Sequence, residues 1–104
     1  MTATHLSPAP RTALETDIPA ITKLWQETGL YRPYNPPEWD VRFALSDRNS
    51  TLMIWEDING VIIATVMVGH DGHRGWIYYL SVAPSHQKTG LGKKLVAIGE
   101  DWLR

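Results

Sequence analysis

The sequence predicts an α+β fold, a mainly antiparallel sheet with helices packed on it. Three observations carry that prediction. Between Thr51 and Ala83 lie three apolar, β-rich runs separated by short turns built from Gly, Asn and Asp, the pattern of adjacent strands in a meander. On both sides of this block, apolar residues recur at helical spacing instead. The chain has 104 residues, which confines these elements to a single domain.

The elements follow in order. Met1–Pro10 is rich in Thr, Ala, Ser and Pro and is expected to be a flexible tail. Residues 11–104 are expected to form the domain. Arg11–Glu15 reads as a first strand, with Pro10 suited to its start. Thr16 or Asp17 can cap the helix that follows. In it Ile18, Ile21, Leu24, Trp25 and Thr28 share one face, and Gly29 ends it. Tyr31–Pro37, with three prolines and two tyrosines, reads as an ordered loop, because proline blocks helix continuation. A second helix is expected over Glu38–Ser46, with Trp39, Phe43 and Ala44 on its buried side.

Thr51–Glu56 and Val61–Gly69 then read as strands joined by Asp57-Ile58-Asn59-Gly60, where Asn and Gly tolerate positive φ. Asp71–Gly75 is a second turn and Trp76–Ala83 a further strand. Leu91, Leu95, Ile98 and Trp102 lie at i, i+4, i+7 and i+11, one stripe of a last helix. Trp25, Trp55 and Trp102 are read as core or sheet-face packing.

Composition excludes several functions. The formal net charge is -1, so no basic field is present to hold nucleic acid or an anionic membrane. No cysteine is present, which rules out a disulfide framework and a thiolate nucleophile. The longest apolar run, about Val61 to Val68, is far too short to span a bilayer. The first ten residues lack a charged region followed by an apolar stretch, so they are not read as a secretory leader. A cytoplasmic location fits these features.

The segment Gln87-Lys88-Thr89-Gly90-Leu91-Gly92-Lys93 is the most informative. It lies between a strand and an amphipathic helix. Its glycines let the backbone turn tightly and expose successive N–H groups. With the unsatisfied amides of a helix's first turn they form an anion cradle suited to a pyrophosphate. A P-loop is excluded, because Gln87 stands where its first Gly is needed and Lys94 where its Ser or Thr is needed. A dinucleotide fingerprint is excluded because Leu95 occupies the place of its third Gly. What remains is Q-x-x-G-x-G after a strand. On the loop alone, a plain strand-to-helix turn is the competing reading.

That motif, preceded by Leu80-Ser81-Val82-Ala83-Pro84, resembles the acyl-CoA pyrophosphate signature of the GNAT superfamily of acyl-CoA N-acyltransferases. Thr16–Trp25 resembles the family's first strand-to-helix segment, and Leu30–Asn35 and Gly69–Val82 resemble a bacterial subgroup of small acetyltransferases within it. The resemblance runs from about Arg11 to Arg104. It implies acetyl-CoA as co-substrate and an amine as acceptor. It implies that Leu80, Ser81 and Val82 line the pantetheine arm, pairing with its amides as a strand edge does. It implies that Gln87, Lys88, Thr89, Gly90, Leu91, Gly92 and Lys93 hold the pyrophosphate. The Val82 N–H would then meet developing oxyanion charge.

In the family, further strands and a helix follow, the helix often carrying a tyrosine acid. The chain ends at Arg104 within the last helical pattern, so the expectation is an incomplete GNAT-like fold, and no catalytic acid is carried over. A base must neutralise the attacking amine. His70, Asp71, His73 and Tyr78 are available, with His70 and Tyr78 the candidates retained. Tyr31, Tyr34 and His73 are candidate acceptor contacts, the competing reading for the tyrosines being that they cap the core. His70, Asp71 and His73 also form a conceivable metal set, but a Gly-rich turn favours Asp and Gly without any metal, and no metal is assigned. The strand Trp76–Ala83 would be an open sheet edge, and a homodimer through residues 76–83 is expected. The function implied is acetyl transfer from acetyl-CoA to an amine. The alternative is a truncated CoA-binding or self-associating module without turnover.

Overall fold

In a computed structural model, residues 7, 9–30, 37–46, 48–72, 74–87 and 89–103 are described. The expected tail lies mostly outside them. They form strands β1 (Arg11–Thr12), β2 (Ser50–Glu56), β3 (Ile62–His70) and β4 (Gly75–Val82), and helices α1 (Ile18–Glu27), α2 (Pro37–Ser46) and α3 (Leu91–Trp102). The strands make one antiparallel sheet in the order β1-β2-β3-β4. The α+β architecture read from the sequence is the one observed.

The helices lie on opposite faces of the sheet. Successive side chains of a strand point to opposite faces, and on β3 Thr65 accepts a hydrogen bond from Trp25 of α1, whereas Val66 and Val68 lie against Gly99 of α3. A Cβ on Gly99 would stand 2.8 Å from Val68 Cγ1, so the glycine sets how closely α3 approaches. With both faces covered, Ile62 to Gly69 are all buried. That explains the unbroken apolar run in β3 where a half-exposed strand would alternate. Trp25, Ile21, Leu52, Ile54, Leu91 and Leu95 are among the fully buried side chains.

Two expectations are corrected. α2 buries Pro37, Val41 and Ala44, a stripe at i, i+4 and i+7, whereas Trp39 and Phe43 are 64% and 67% exposed. They occupy the opposite side of the helix, and Ala44 alone of the expected trio is buried. The first strand is also shorter than Arg11–Glu15. After Thr12 the chain enters a 3-10 turn, Glu15–Asp17, closed by the Asp17 carboxylate accepting the Leu14 N–H at 2.8 Å.

Asp17 also receives two hydrogen bonds from Arg11, at 2.8 and 3.1 Å. Arg11 donates two more to Glu56 at the end of β2, at 3.3 and 3.1 Å. One guanidinium thus ties the turn before α1 to the sheet. The Arg11 hydrogen bonds, with a further one from the Leu14 backbone, hold the Asp17 carboxyl below its ordinary value against the opposing effect of burial. A depressed carboxylate contributes stability that is full above about pH 4 and is lost as pH falls through the folded-state value. The site is partly exposed, so its contribution is about 1 kcal/mol. Asp17→Asn should therefore lower stability at pH 7 by about that amount. The deficit should shrink as pH falls below about 4, read by urea unfolding at pH 7 and at acid pH; an equal deficit at both would contradict the assignment.

Candidate functional site

β4 changes phase midway. Ile77 Cδ1 lies 3.7 Å from a Cβ built on Gly99, and Val82 Cγ2 lies 3.8 Å from one built on Gly92. Both side chains therefore face α3, although they are five positions apart and a regular strand would put them on opposite faces. The register accounts for this: Ser81 pairs with Thr65 and Tyr78 with Met67, so Tyr79 and Leu80 together oppose Val66. This is a β-bulge. Tyr79 takes φ +52° there, a conformation that costs a bulky residue about 1–3 kcal/mol.

Side chains hold the kink. The Thr65 hydroxyl donates to the Tyr79 carbonyl at 2.8 Å. The buried Trp25 donates its Nε1–H to that same hydroxyl at 3.0 Å. The Trp25 and Tyr79 rings stack, 4.1 Å between centroids and 16° between planes. The Tyr79 hydroxyl donates to the Asp40 carboxylate of α2 at 2.5 Å. Tyr79 is thus fixed from α1, β3 and α2 together.

Beyond the bulge the strand presents an outer edge. The Ala83 N–H donates to the Ile63 carbonyl at 2.7 Å. By antiparallel alternation, Val82, opposite Ala64, turns its N–H and C=O away from β3. The Gln87 side-chain amide meets the Val82 carbonyl at 3.0 Å, closing the loop onto the strand. Ser81 is buried, its hydroxyl 2.8 Å from that of Thr28 on α1. Leu80 is partly exposed within the bulge.

The loop then enters α3. Thr89 donates its hydroxyl proton to the His86 carbonyl at 2.6 Å. Gly90 adopts φ +87°, ψ 2° as the N-cap of α3, with no side chain capping the helix end. The first turn closes with the Lys94 N–H on the Gly90 carbonyl at 3.2 Å. The N–H groups of Leu91, Gly92 and Lys93 precede that bond and have no acceptor within the helix. Leu91 and Leu95 are buried and anchor the helix end, while Lys93 and Lys94 are exposed beside it. The resulting feature is a positively polarised helix terminus next to an outward-facing strand amide, able to hold an anion.

A groove of about 1010 Å³ opens between α2 and β4, with Asp40, Phe43, Met67, Trp76, Tyr78 and Tyr79 in its lining. His70 also borders it, its ring 6.1 Å from that of Trp102. The two retained base candidates, His70 and Tyr78, thus meet at one groove, and Tyr78 is 57% exposed. Asp40, Phe43, Trp76 and Tyr79 join them without having been picked out as site residues. Only the phase change in β4 marks Tyr79 in the sequence, and nothing local marks Asp40. Tyr31, Tyr34, His73 and Lys88 lie outside the described residues. Among the described residues no cluster of three or more metal-ligating side chains forms, and no helix is long and apolar enough to cross a membrane.

Comparison with known proteins shows the family. A model of the acetyltransferase (GNAT) family matches residues 18–104. An acetyltransferase of Pectobacterium atrosepticum is 37% identical over 83 residues, spanning 80% of this chain and 58% of that protein. An uncharacterized N-acetyltransferase of Yersinia pestis is 36% identical over 83 residues with the same coverage. This chain therefore spans 58% of the length of these curated relatives. Among solved structures, the ribosomal-protein-S18-alanine N-acetyltransferase of Escherichia coli superposes with a TM-score of 0.70 at 22% identity, over 91% of this chain and 58% of that one. A GNAT family acetyltransferase of Staphylococcus aureus gives 0.70 at 15% identity, over 94% and 77%. At those identities the structural matches show the fold.

Proposed function

Because the chain belongs to the GNAT family of acetyltransferases, we propose that it moves an acetyl group from acetyl-CoA to an amine. The observation that supports this most is the uncapped start of α3 beside Val82. Three backbone N–H groups and the helix dipole suit a pyrophosphate there, with Lys93 and Lys94 adding positive charge. Val82, turned outward, suits the amides of a pantetheine arm, which pair with an open strand edge as a peptide does. Contacts from Leu91 and Ser81 would run through their backbones, since both side chains are buried. Gln87 shapes the loop through the Val82 carbonyl.

The reaction assigns the groove its task. The acceptor must shed a proton before its nitrogen can attack, since an alkylammonium has a pKa of about 10. His70 and Tyr78 are the groove-side candidates for taking it. The nitrogen lone pair then forms the N–C bond, and the Val82 N–H offers a hydrogen bond to the carbonyl oxygen as it gains charge. The C–S bond breaks, the CoA sulfur gains a proton, and the nitrogen loses its second. In this reading the amine attacks the thioester directly, without an acyl-cysteine intermediate, since this chain holds no cysteine. The β4 edge assigned to pantetheine is the one expected to pair with a second copy, and the two uses exclude one another.

Incubation with acetyl-CoA and a panel of primary amines tests the reading. Acetylated amine and free CoA thiol should appear in equal amounts by mass spectrometry and thiol titration. Bound acetyl-CoA with no thiol release would favour the module without turnover. Absence of both binding and release would remove the proposal.

A further inference from the structure

The carboxylates lining the groove between α2 and β4 meet partners within the protein. The Tyr79 hydroxyl donates to Asp40. Asp71 lies 4.0 Å from the Arg74 guanidinium and accepts the Arg74 backbone N–H at 3.0 Å. What the groove offers a ligand is therefore mainly apolar surface, from Met67 on β3, Trp76 and Tyr78 on β4, and Phe43 on α2. We propose that Gly69 and Trp76 set the acceptor specificity of this chain, selecting a primary amine carried on an elongated apolar body that ends in a ring. This deepens the amine-acceptor reading above and rests on it.

The floor of the groove is a fitted pair. Gly69 and Trp76 are partners across β3 and β4. A Cβ built on Gly69 would stand 2.8 Å from the Trp76 indole Nε1, 2.9 Å from Cε2 and 3.0 Å from Cζ2. These distances are well inside the about 3.5–4.0 Å of a carbon contact. The indole thus occupies the space that a side chain at Gly69 would fill, and Gly69 is buried without a side chain of its own. Two positions along, Met67 pairs with Tyr78, on the same face of the sheet. The Trp76 and Tyr78 rings lie 6.5 Å apart, tilted by 41°. The indole can lie this close to β3 only because Gly69 has no Cβ, and that leaves the groove open above it.

The distance to the reacting edge sets the length of the ligand. Trp76 and Val82 pair with Gly69 and Ala64, which stand five residues apart on β3, about 17 Å. The groove runs toward that edge, since Tyr79 lines it too. The acceptor nitrogen must come within about 3–3.5 Å of the acetyl carbon, whose oxygen faces the Val82 N–H in this reading. A ring resting on the indole takes up a further part of the span. An amine and a ring about 10 Å apart fit what remains. A short amine reaches the edge but leaves the rings uncovered. Tyr78 and Phe43 are largely exposed, so a ligand ring has apolar surface to remove from water.

Butylamine and 4-phenylbutylamine share a spacer and differ by the ring. At saturating acetyl-CoA, kcat/KM should be at least about tenfold higher for 4-phenylbutylamine. Gly69→Ala pushes the indole off β3 into the groove and should lower that ratio at least about threefold. Phe43→Ala, at a largely exposed side chain, should lower it too. The ratio does not depend on how much of the enzyme is folded, so lost stability alone leaves it unmoved. In NMR without acetyl-CoA, 4-phenylbutanol, which has no amine, should shift the Trp76 indole N–H saturably, and butanol at the same concentrations should not. A ratio near one, a ratio unmoved in every variant that folds, or no shift with 4-phenylbutanol would overturn the proposal. If both amines are acetylated with equal efficiency, transfer stands and the selection by Gly69 and Trp76 falls. If 4-phenylbutanol binds while neither amine is acetylated, the ring site stands and the acetyl-transfer reading falls.

Discussion

Gly90→Val should abolish saturable acetyl-CoA binding at concentrations up to about 1 mM, where even a site of about -4 kcal/mol registers in calorimetry. The reason is conformational. Gly90 has φ +87°, and a Cβ there would meet nothing within 4 Å, so space is not the obstacle. A β-branched residue at positive φ is strained by its own backbone. It escapes by rotating the loop, and the N–H groups of Leu91, Gly92 and Lys93 turn with it. The helix itself should survive, because Leu91 and Leu95 are buried and fix its position; far-UV circular dichroism should change little. Gly90→Asn provides the contrast, since Asn tolerates the left-handed region, and should retain binding within about tenfold. Gly92→Ala separates ligand from fold. Gly92 lies inside α3, and its added Cβ would make only an ordinary contact of 3.8 Å with Val82. Stability should hold, and any loss of acetyl-CoA affinity would come from a ligand that needs close approach. Undiminished binding by Gly90→Val would detach the cradle from this helix end.

The features legible in the sequence are those that local chemistry decides. The β2–β3 turn declares itself, with Gly60 at φ +85° and the Asp57 carboxylate taking the N–H groups of Asn59 and Val61 at 2.8 and 2.9 Å. The left-handed Gly90 and the start of α3 are local in the same sense. In α2, spacing and not ring size decides which side is buried. Pro37, Val41 and Ala44 form a helical stripe of small side chains, while the larger Trp39 and Phe43 point outward, Phe43 toward the groove. The Tyr79–Asp40 contact joins residues 39 positions apart, and only the assembled sheet and helices bring them together. The bulge left a trace, since Ile77 and Val82 cannot share a face in a regular strand. That trace becomes readable only when it is known which side α3 covers.

The same tertiary network yields the largest stability effect. Trp25→Ala should destabilise the domain by about 3–5 kcal/mol, the usual cost of deleting a buried Trp side chain. A domain of this size has about 5–15 kcal/mol in total, so the variant should be marginal or unfolded. Trp25 is fully buried, stacks on Tyr79 and donates to Thr65. Its loss therefore opens a cavity and also removes the ring that braces the kink at Tyr79. Two milder variants separate these roles. Trp25→Phe keeps an aromatic ring and removes the N–H; Thr65 still donates to the Tyr79 carbonyl, so the cost should be about 1–2 kcal/mol. Thr65→Val is close in shape but takes away the acceptor of the buried Trp25 N–H. It should cost more than Trp25→Phe, because an abandoned buried polar group bears its full desolvation penalty. In Trp25→Phe/Thr65→Val that N–H is gone, so the double variant should be more stable than the sum of the singles predicts. Urea unfolding with unchanged m-values measures all three. A sum that closes within about 0.5 kcal/mol would mean the indole and hydroxyl act independently. In that case the stack of Trp25 on Tyr79, and not the hydrogen-bond chain through Thr65, would be what holds the strained residue in place.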